Sequence, residues 1–155
     1  MIRTVVKRVL FLCTSNSARS QMAEGMVNHF LGDTWEARSA GVHPAPRVHP
    51  LAVQAMAELG IDISAQRPKH LATFQGQPFD LVMTLCDEAA AECPLWLGGG
   101  RQVHIAFPDP AAASGSETEQ LAVFRQVRDA IREQVLGYLR GIENPHSAAG
   151  VSPFL

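Results

Sequence analysis

The sequence predicts a single α/β domain in which a parallel sheet is covered on both faces by helices. Short apolar runs alternate with segments of helical period along the whole chain, the pattern that builds strand–helix–strand units. At 155 residues and 46% hydrophobic, the chain can bury roughly 70% of the surface its unfolded form exposes, so no second domain is needed. In such sheets ligands bind beyond the carboxyl ends of the strands, and Cys13, Cys86 and Asp109 each follow a predicted strand.

Taken in order, Val9-Leu10-Phe11-Leu12 reads as a buried strand ending at Cys13. After a loop of small residues, Ala18 to Leu31 carries Met22, Met26, Phe30 and Leu31 at helical spacing. Trp35 to Ser39 is a short strand ended by Ala40-Gly41, and His43 to Val48 is a loop punctuated by prolines. Pro50 suits the first turn of a helix lined by Leu51, Val53, Ala55, Met56 and Leu59 and stopped by Gly60. Asp80 to Leu85 is the next strand, ending at Cys86, and Arg101 to Phe107 is the last, after the Gly98-Gly99-Gly100 turn. A small-residue loop from Ala111 to Ser116 leads into a helix from Glu117 to Arg140, striped with Leu121, Phe124, Val127, Ile131, Val135 and Leu139. Residues 1–140 form the expected domain and 141–155 a flexible tail. There is no internal repeat.

Net charge is −2, with 13 basic and 15 acidic residues, so there is no broad basic footprint for nucleic acid or an anionic membrane. The segment Met1 to Arg8 lacks a signal-peptide apolar core, and no run approaches the length of a membrane span. A cytoplasmic monomer is expected. Three cysteines, an odd count in a chain with a large core, point to thiol chemistry in a reducing compartment rather than a disulfide framework.

Cys13 opens the loop Cys13-Thr14-Ser15-Asn16-Ser17-Ala18-Arg19-Ser20. The loop ends on a helix N-terminus, where unpaired N–H groups and the positive end of the helix dipole favour an anion. Arg19 adds a bidentate fork suited to a tetrahedral oxyanion. Thr14, Ser15, Asn16, Ser17, Ala18, Arg19 and Ser20 are therefore the candidate substrate-binding residues. The same field is expected to favour the Cys13 thiolate, with Ser20 placed to donate to the sulfur. The alternative is a cysteine that merely closes a buried strand; the strand, helix and small loop residues around it favour the chemical reading.

Cys86 and Cys93 are separated by six residues, unlike the two-residue spacing of a zinc knuckle. Two readings stand, inert core cysteines or further thiols forming a relay with Cys13. The acidic, alanine-rich segment between them favours the relay. If the first and third strands are neighbours, their ends lie about 4.8 Å apart, within the separation a disulfide tolerates, so Cys13 and Cys86 can meet. Asp109 precedes Pro110, which biases its backbone to an extended form able to project a carboxyl as a general acid. The six histidines are scattered without a metal-binding pair.

The loop from Cys13 to Gln21, the pair Cys86 and Cys93-Pro94, Arg38-Ser39-Ala40-Gly41 and Asp109-Pro110 together resemble the thioredoxin-coupled arsenate reductases, which share the low-molecular-weight tyrosine phosphatase fold. The resemblance covers roughly residues 5–138 and is made specific by the three cysteines. It implies a four-stranded parallel sheet of flavodoxin-like topology. It also implies that Cys13 is the nucleophile, that Arg19 and the loop amides hold arsenate, and that Asp109 protonates the departing hydroxyl. Phosphate and sulfate would compete with arsenate. By the same resemblance Cys86 attacks Cys13 to give a Cys13–Cys86 disulfide, Cys93 takes over as Cys86–Cys93, and thioredoxin supplies the electrons. No tightly bound cofactor is implied, although a potassium ion can sit beside the loop at Asn16, Glu24 and Ser39. If the segment between Cys86 and Cys93 is helical when reduced, seven residues of rise separate their Cα atoms by about 10.5 Å, so oxidation must unwind it.

A phosphatase for tyrosine phosphate or small phosphate esters is the competing reading. Ala18 stands where such phosphatases usually carry a second loop cysteine, Gln21 where they carry proline, and Ala111-Ala112 where they place tyrosines. A non-catalytic oxyanion-binding module is the third, and it has no use for resolving thiols or a general acid.

Overall fold

The computed structural model describes residues 6–87 and 100–143. Strand β1 (Lys7–Cys13) is fully buried from Val9 onward, as an apolar run must be when a parallel sheet is covered on both faces. Helix α1 (Arg19–Phe30) returns the chain to β2 (Trp35–Gly41), and α2 (Pro50–Ala57) follows. Strands β3 (Leu81–Thr84) and β4 (Arg101–His104) precede the long α3 (Glu117–Glu143). The sheet order is β2-β1-β3-β4 with every pairing parallel.

The chain order reverses at β1, which has β2 on one side and β3 on the other. Such a switch point opens a crevice at the carboxyl ends of the two central strands. The segments after β1 and β3 border it, with Cys13 as the last residue of β1 and Cys86 in the turn after β3. Core packing fixes this frame: Phe11, Met22, Met56, Met83 and Ile131 have no exposed surface. On α3 the expected stripe from Leu121 to Leu139 is buried. Its start carries a capping box, with Ser116 Oγ accepting from Glu119 N and Glu119 Oε1 from Ser116 N, both at 3.1 Å.

All four expected strands are present, with shifted ends. β2 continues through Gly41, whose N–H donates to Lys69 O at 2.7 Å. β4 stops at His104 instead of Phe107; Ile105 N and Phe107 N still donate, but to the consecutive carbonyls of Thr84 and Leu85, so the regular ladder register is lost there. α2 ends at Ala57 because Leu59 and Gly60 bond three residues back and tighten the last turn. α3 continues three residues past Arg140, with Ile142 packed against the core. Two unanticipated 3₁₀ turns, Leu71–Phe74 and Pro110–Ala112, are capped by His70 and Asp109. Among the described residues no helix is long and apolar enough to cross a membrane.

Candidate oxyanion and thiol site

The loop after β1 is held from outside by the segment that follows β2. Val42, His43, Ala45 and His49 donate their N–H groups to the carbonyls of Cys13, Thr14, Ser15 and Ser17 at 2.8–3.2 Å. In a planar trans peptide the N–H points opposite to the carbonyl. Tying those four carbonyls outward therefore turns the next N–H groups inward. Ala18, the N-cap of α1, supplies no side-chain cap, so the helix's first donors stay available to an anion.

Asn16 is the one non-glycine with positive φ among the described residues, at 51°, a conformation that asparagine adopts more readily than most. Its buried side chain pins the loop. Nδ2 donates to Ser20 Oγ at 2.7 Å, while Oδ1 accepts from Gln21 Nε2 and from Lys69 N, both at 3.0 Å. Gly41 leaves room for this arrangement, since a Cβ there would lie 2.8 Å from the Thr14 carbonyl oxygen.

Cys13 lies beneath the loop at 1% exposure. Its sulfur is 2.8 Å from Ser20 Oγ. Because that oxygen already accepts from Asn16 Nδ2, the hydroxyl hydrogen is free to point at sulfur. Burial nevertheless pushes the Cys13 thiol above its ordinary value; Ser20, the Arg19 charge and the Asn16 backbone pull it back only in part. The expectation of a favoured thiolate is thus corrected: desolvation outweighs the groups that favour the charged sulfur.

Arg19 is buried, with Nη1 donating to Phe107 O at 3.1 Å and Nη2 4.0 Å from Asp109 Oδ2. Asp109 is half-exposed at the rim, and its Oδ1 accepts from Ala111 N at 3.0 Å. Its charge reaches His49, whose imidazole is nonetheless pushed down, burial being the larger effect.

Cys86, also buried, reaches the same loop: its Sγ is 3.2 Å from Thr14 Oγ1. The β1–β3 pairing makes this contact, since Leu12 pairs with Thr84 and Leu85 N donates to Leu12 O at 2.8 Å. Cys13 and Cys86 thus both contact residues of one loop, through Ser20 and Thr14. Cys93, and the helix expected between it and Cys86, lie outside the described residues.

Several site residues were not singled out from the sequence. Gln66 and Lys69 brace the loop, with Gln66 Nε2 donating to Gln21 Oε1 at 2.7 Å and Lys69 N to Asn16 Oδ1 at 3.0 Å. His104 bonds Thr84 Oγ1 through Nδ1 at 2.8 Å and Asp87 Oδ1 through Nε2 at 3.1 Å. No local signal marks them, because each pairing spans 17 residues or more.

The proposed potassium ligands do not fit the ion. Ser39 Oγ donates to Glu24 Oε1 at 2.7 Å, and Asn16 Oδ1 is already taken by two donors. Burial raises the Glu24 carboxyl, while Lys69 and Arg38 bring it positive charge.

Comparison with known proteins agrees with this geometry. Residues 8–147 match the family described as low molecular weight phosphotyrosine protein phosphatase. The chain is 49% identical over 129 residues to an arsenate reductase of Halalkalibacterium halodurans, covering 83% of this chain and 92% of that protein. It superposes with TM-score 0.76 on an arsenate reductase in the phosphate binding state, at 34% identity, covering 88% of this chain and 99% of that one. A thioredoxin-dependent arsenate reductase of Corynebacterium glutamicum gives TM-score 0.64 at 27% identity, over 90% of this chain and 65% of that one.

Proposed function

The chain belongs to the low molecular weight phosphotyrosine protein phosphatase family, and on that footing we propose that it reduces arsenate to arsenite with electrons from thioredoxin. The observation that carries this reading is the second buried thiol, Cys86, held against the oxyanion loop by Thr14. Phosphate-ester hydrolysis has no use for it.

Arsenate enters with its oxygens on the inward N–H groups and the Arg19 fork. Cys13 attacks arsenic and forms a sulfur–arsenic bond. The thiol hydrogen and one arsenate hydroxyl leave together as water, with Asp109 relaying the proton to the departing oxygen. Because the thiol proton ends in that water, a raised Cys13 pKa is compatible with attack. Cys86 then attacks the Cys13 sulfur and gives up its own hydrogen. The electron pair of the sulfur–arsenic bond stays on arsenic, which falls from arsenic(V) to arsenic(III) and leaves as arsenite. Cys93 next displaces Cys13 from Cys86, and thioredoxin reduces the Cys86–Cys93 disulfide by thiolate exchange.

Arsenite release from arsenate, measured with thioredoxin, thioredoxin reductase and NADPH, tests the assignment. Glutaredoxin with glutathione and a phosphate ester serve as comparisons. Cys13→Ser should abolish turnover, because the hydroxyl has no base to activate it. Cys93→Ser should complete one reduction and stop with Cys13 bonded to Cys86, whereas Cys86→Ser should stall before arsenite forms. Substantial turnover by Cys13→Ser, or ester hydrolysis without arsenite production, overturns the reading.

A further inference from the structure

Cys86 is approached from the edge strand by a histidine that the reaction steps above do not use. His104 is the last residue of β4, paired across the sheet with Thr84. Its ring joins two residues that bracket Cys86 in sequence, Thr84 before it at 2.8 Å and Asp87 after it at 3.1 Å. Thr84 is buried and also lies 3.4 Å from Val103 O, a second acceptor for its hydroxyl hydrogen. An ionised Asp87 carboxylate can only accept, so Nε2 carries its hydrogen whether the ring is neutral or charged. A neutral ring takes the Thr84 hydrogen on Nδ1; a charged ring donates to Thr84 Oγ1, which turns its hydrogen toward Val103. The bridge therefore holds in both protonation states.

We propose that His104 is a positioning residue for the resolving thiol, tying the Thr84 and Asp87 side chains on either side of Cys86 to the edge strand so that its sulfur faces the loop. The proposal rests on the relay reading above. Leu85 is already fixed by hydrogen bonds with Leu12 O and from Phe107 N. Just beyond Cys86, the Asp87 side chain is bonded to the edge strand through His104. Asp87 is 93% exposed on its side chain, so the bond orients the turn without locking it. Such a tether suits a residue that must attack one sulfur and then be attacked itself. Its benefit is orientational, the gain that comes from holding a nucleophile in line with its target.

Single turnover in the Cys93→Ser background tests the tether, with samples acid-quenched and the Cys13–Cys86 disulfide counted by mass. His104→Ala should slow disulfide formation by roughly fivefold, the rate equivalent of one net hydrogen bond. Phosphate affinity, which reads the loop alone, should not move. Asp87→Ala should slow the step equally and add nothing to His104→Ala, while Asp87→Asn, which keeps an acceptor oxygen, should restore most of the rate. An unchanged rate in His104→Ala overturns the proposal. So does a slowing matched by an equal loss of phosphate affinity, which would report general disruption. If the parent forms no Cys13–Cys86 disulfide while arsenite appears, it is the relay itself that fails.

Discussion

Ser20 is the residue on which the character of Cys13 turns. A sulfur at 1% exposure loses most of its hydration, and the Ser20 hydroxyl, oriented by Asn16, is the foremost of the groups that offset the loss. Ser20→Ala should raise the Cys13 thiol further and leave less thiolate at neutral pH. Alkylation by iodoacetamide should then slow near pH 7, because the thiolate is the species that reacts. The rates should converge at high pH, where both thiols are ionised; a constant ratio across pH would mean that Ser20 acts only through packing. Cys13, Arg19 and Ser20 were legible in sequence because they share one short stretch. The balance between loop field and desolvation was not, because the groups that bury Cys13 come from other parts of the chain.

Between elements, the join of α2 to α3 carries a charged cluster beside its apolar packing. Glu58, at the end of α2, takes hydrogen bonds from Arg125 at 2.6 Å and from Arg128 at 2.7 Å, and Arg128 also donates to Ala55 O at 2.8 Å. Hydrogen bonds from Arg125, then from Arg128, hold the Glu58 carboxyl down at about 2. A depressed carboxyl stabilises the fold above its unfolded value of 4.5 and loses that contribution as pH falls toward about 2. In Glu58→Gln the acid limb of stability over that window should be shallower, read as urea midpoints against pH. An unchanged limb would assign acid unfolding to other carboxyls. The helices themselves were readable from their stripes and caps, such as Pro50 at the start of α2 and Leu121 to Leu139 along α3. What periodicity could not give is where β4 leaves the regular ladder, since Ile105 and Phe107 donate to the consecutive carbonyls of Thr84 and Leu85 while Phe107 O turns to Arg19.

For the molecule as a whole, an oxyanion that binds the folded loop and not the unfolded chain must raise the unfolding temperature. At a hundredfold excess over its dissociation constant, phosphate should add about 2.7 kcal/mol, or roughly 5–10 °C for a domain of this size. Sulfate should act in the same direction. Arg19→Lys should lose much of the shift, because a point charge cannot reproduce the fork. An equal shift in wild type and Arg19→Lys would show that the backbone amides alone hold the anion. Those amides are aimed by N–H groups of Val42, His43, Ala45 and His49, while the backbone N–H of Lys69 steadies Asn16. The recognition loop is therefore not portable. Spliced into another scaffold, or made as a peptide of residues 7–30, it would keep every residue that defines the pattern and lose the outer ring that turns its amides inward. A search by loop pattern alone will accordingly collect chains that carry the letters of this site without its ability to bind.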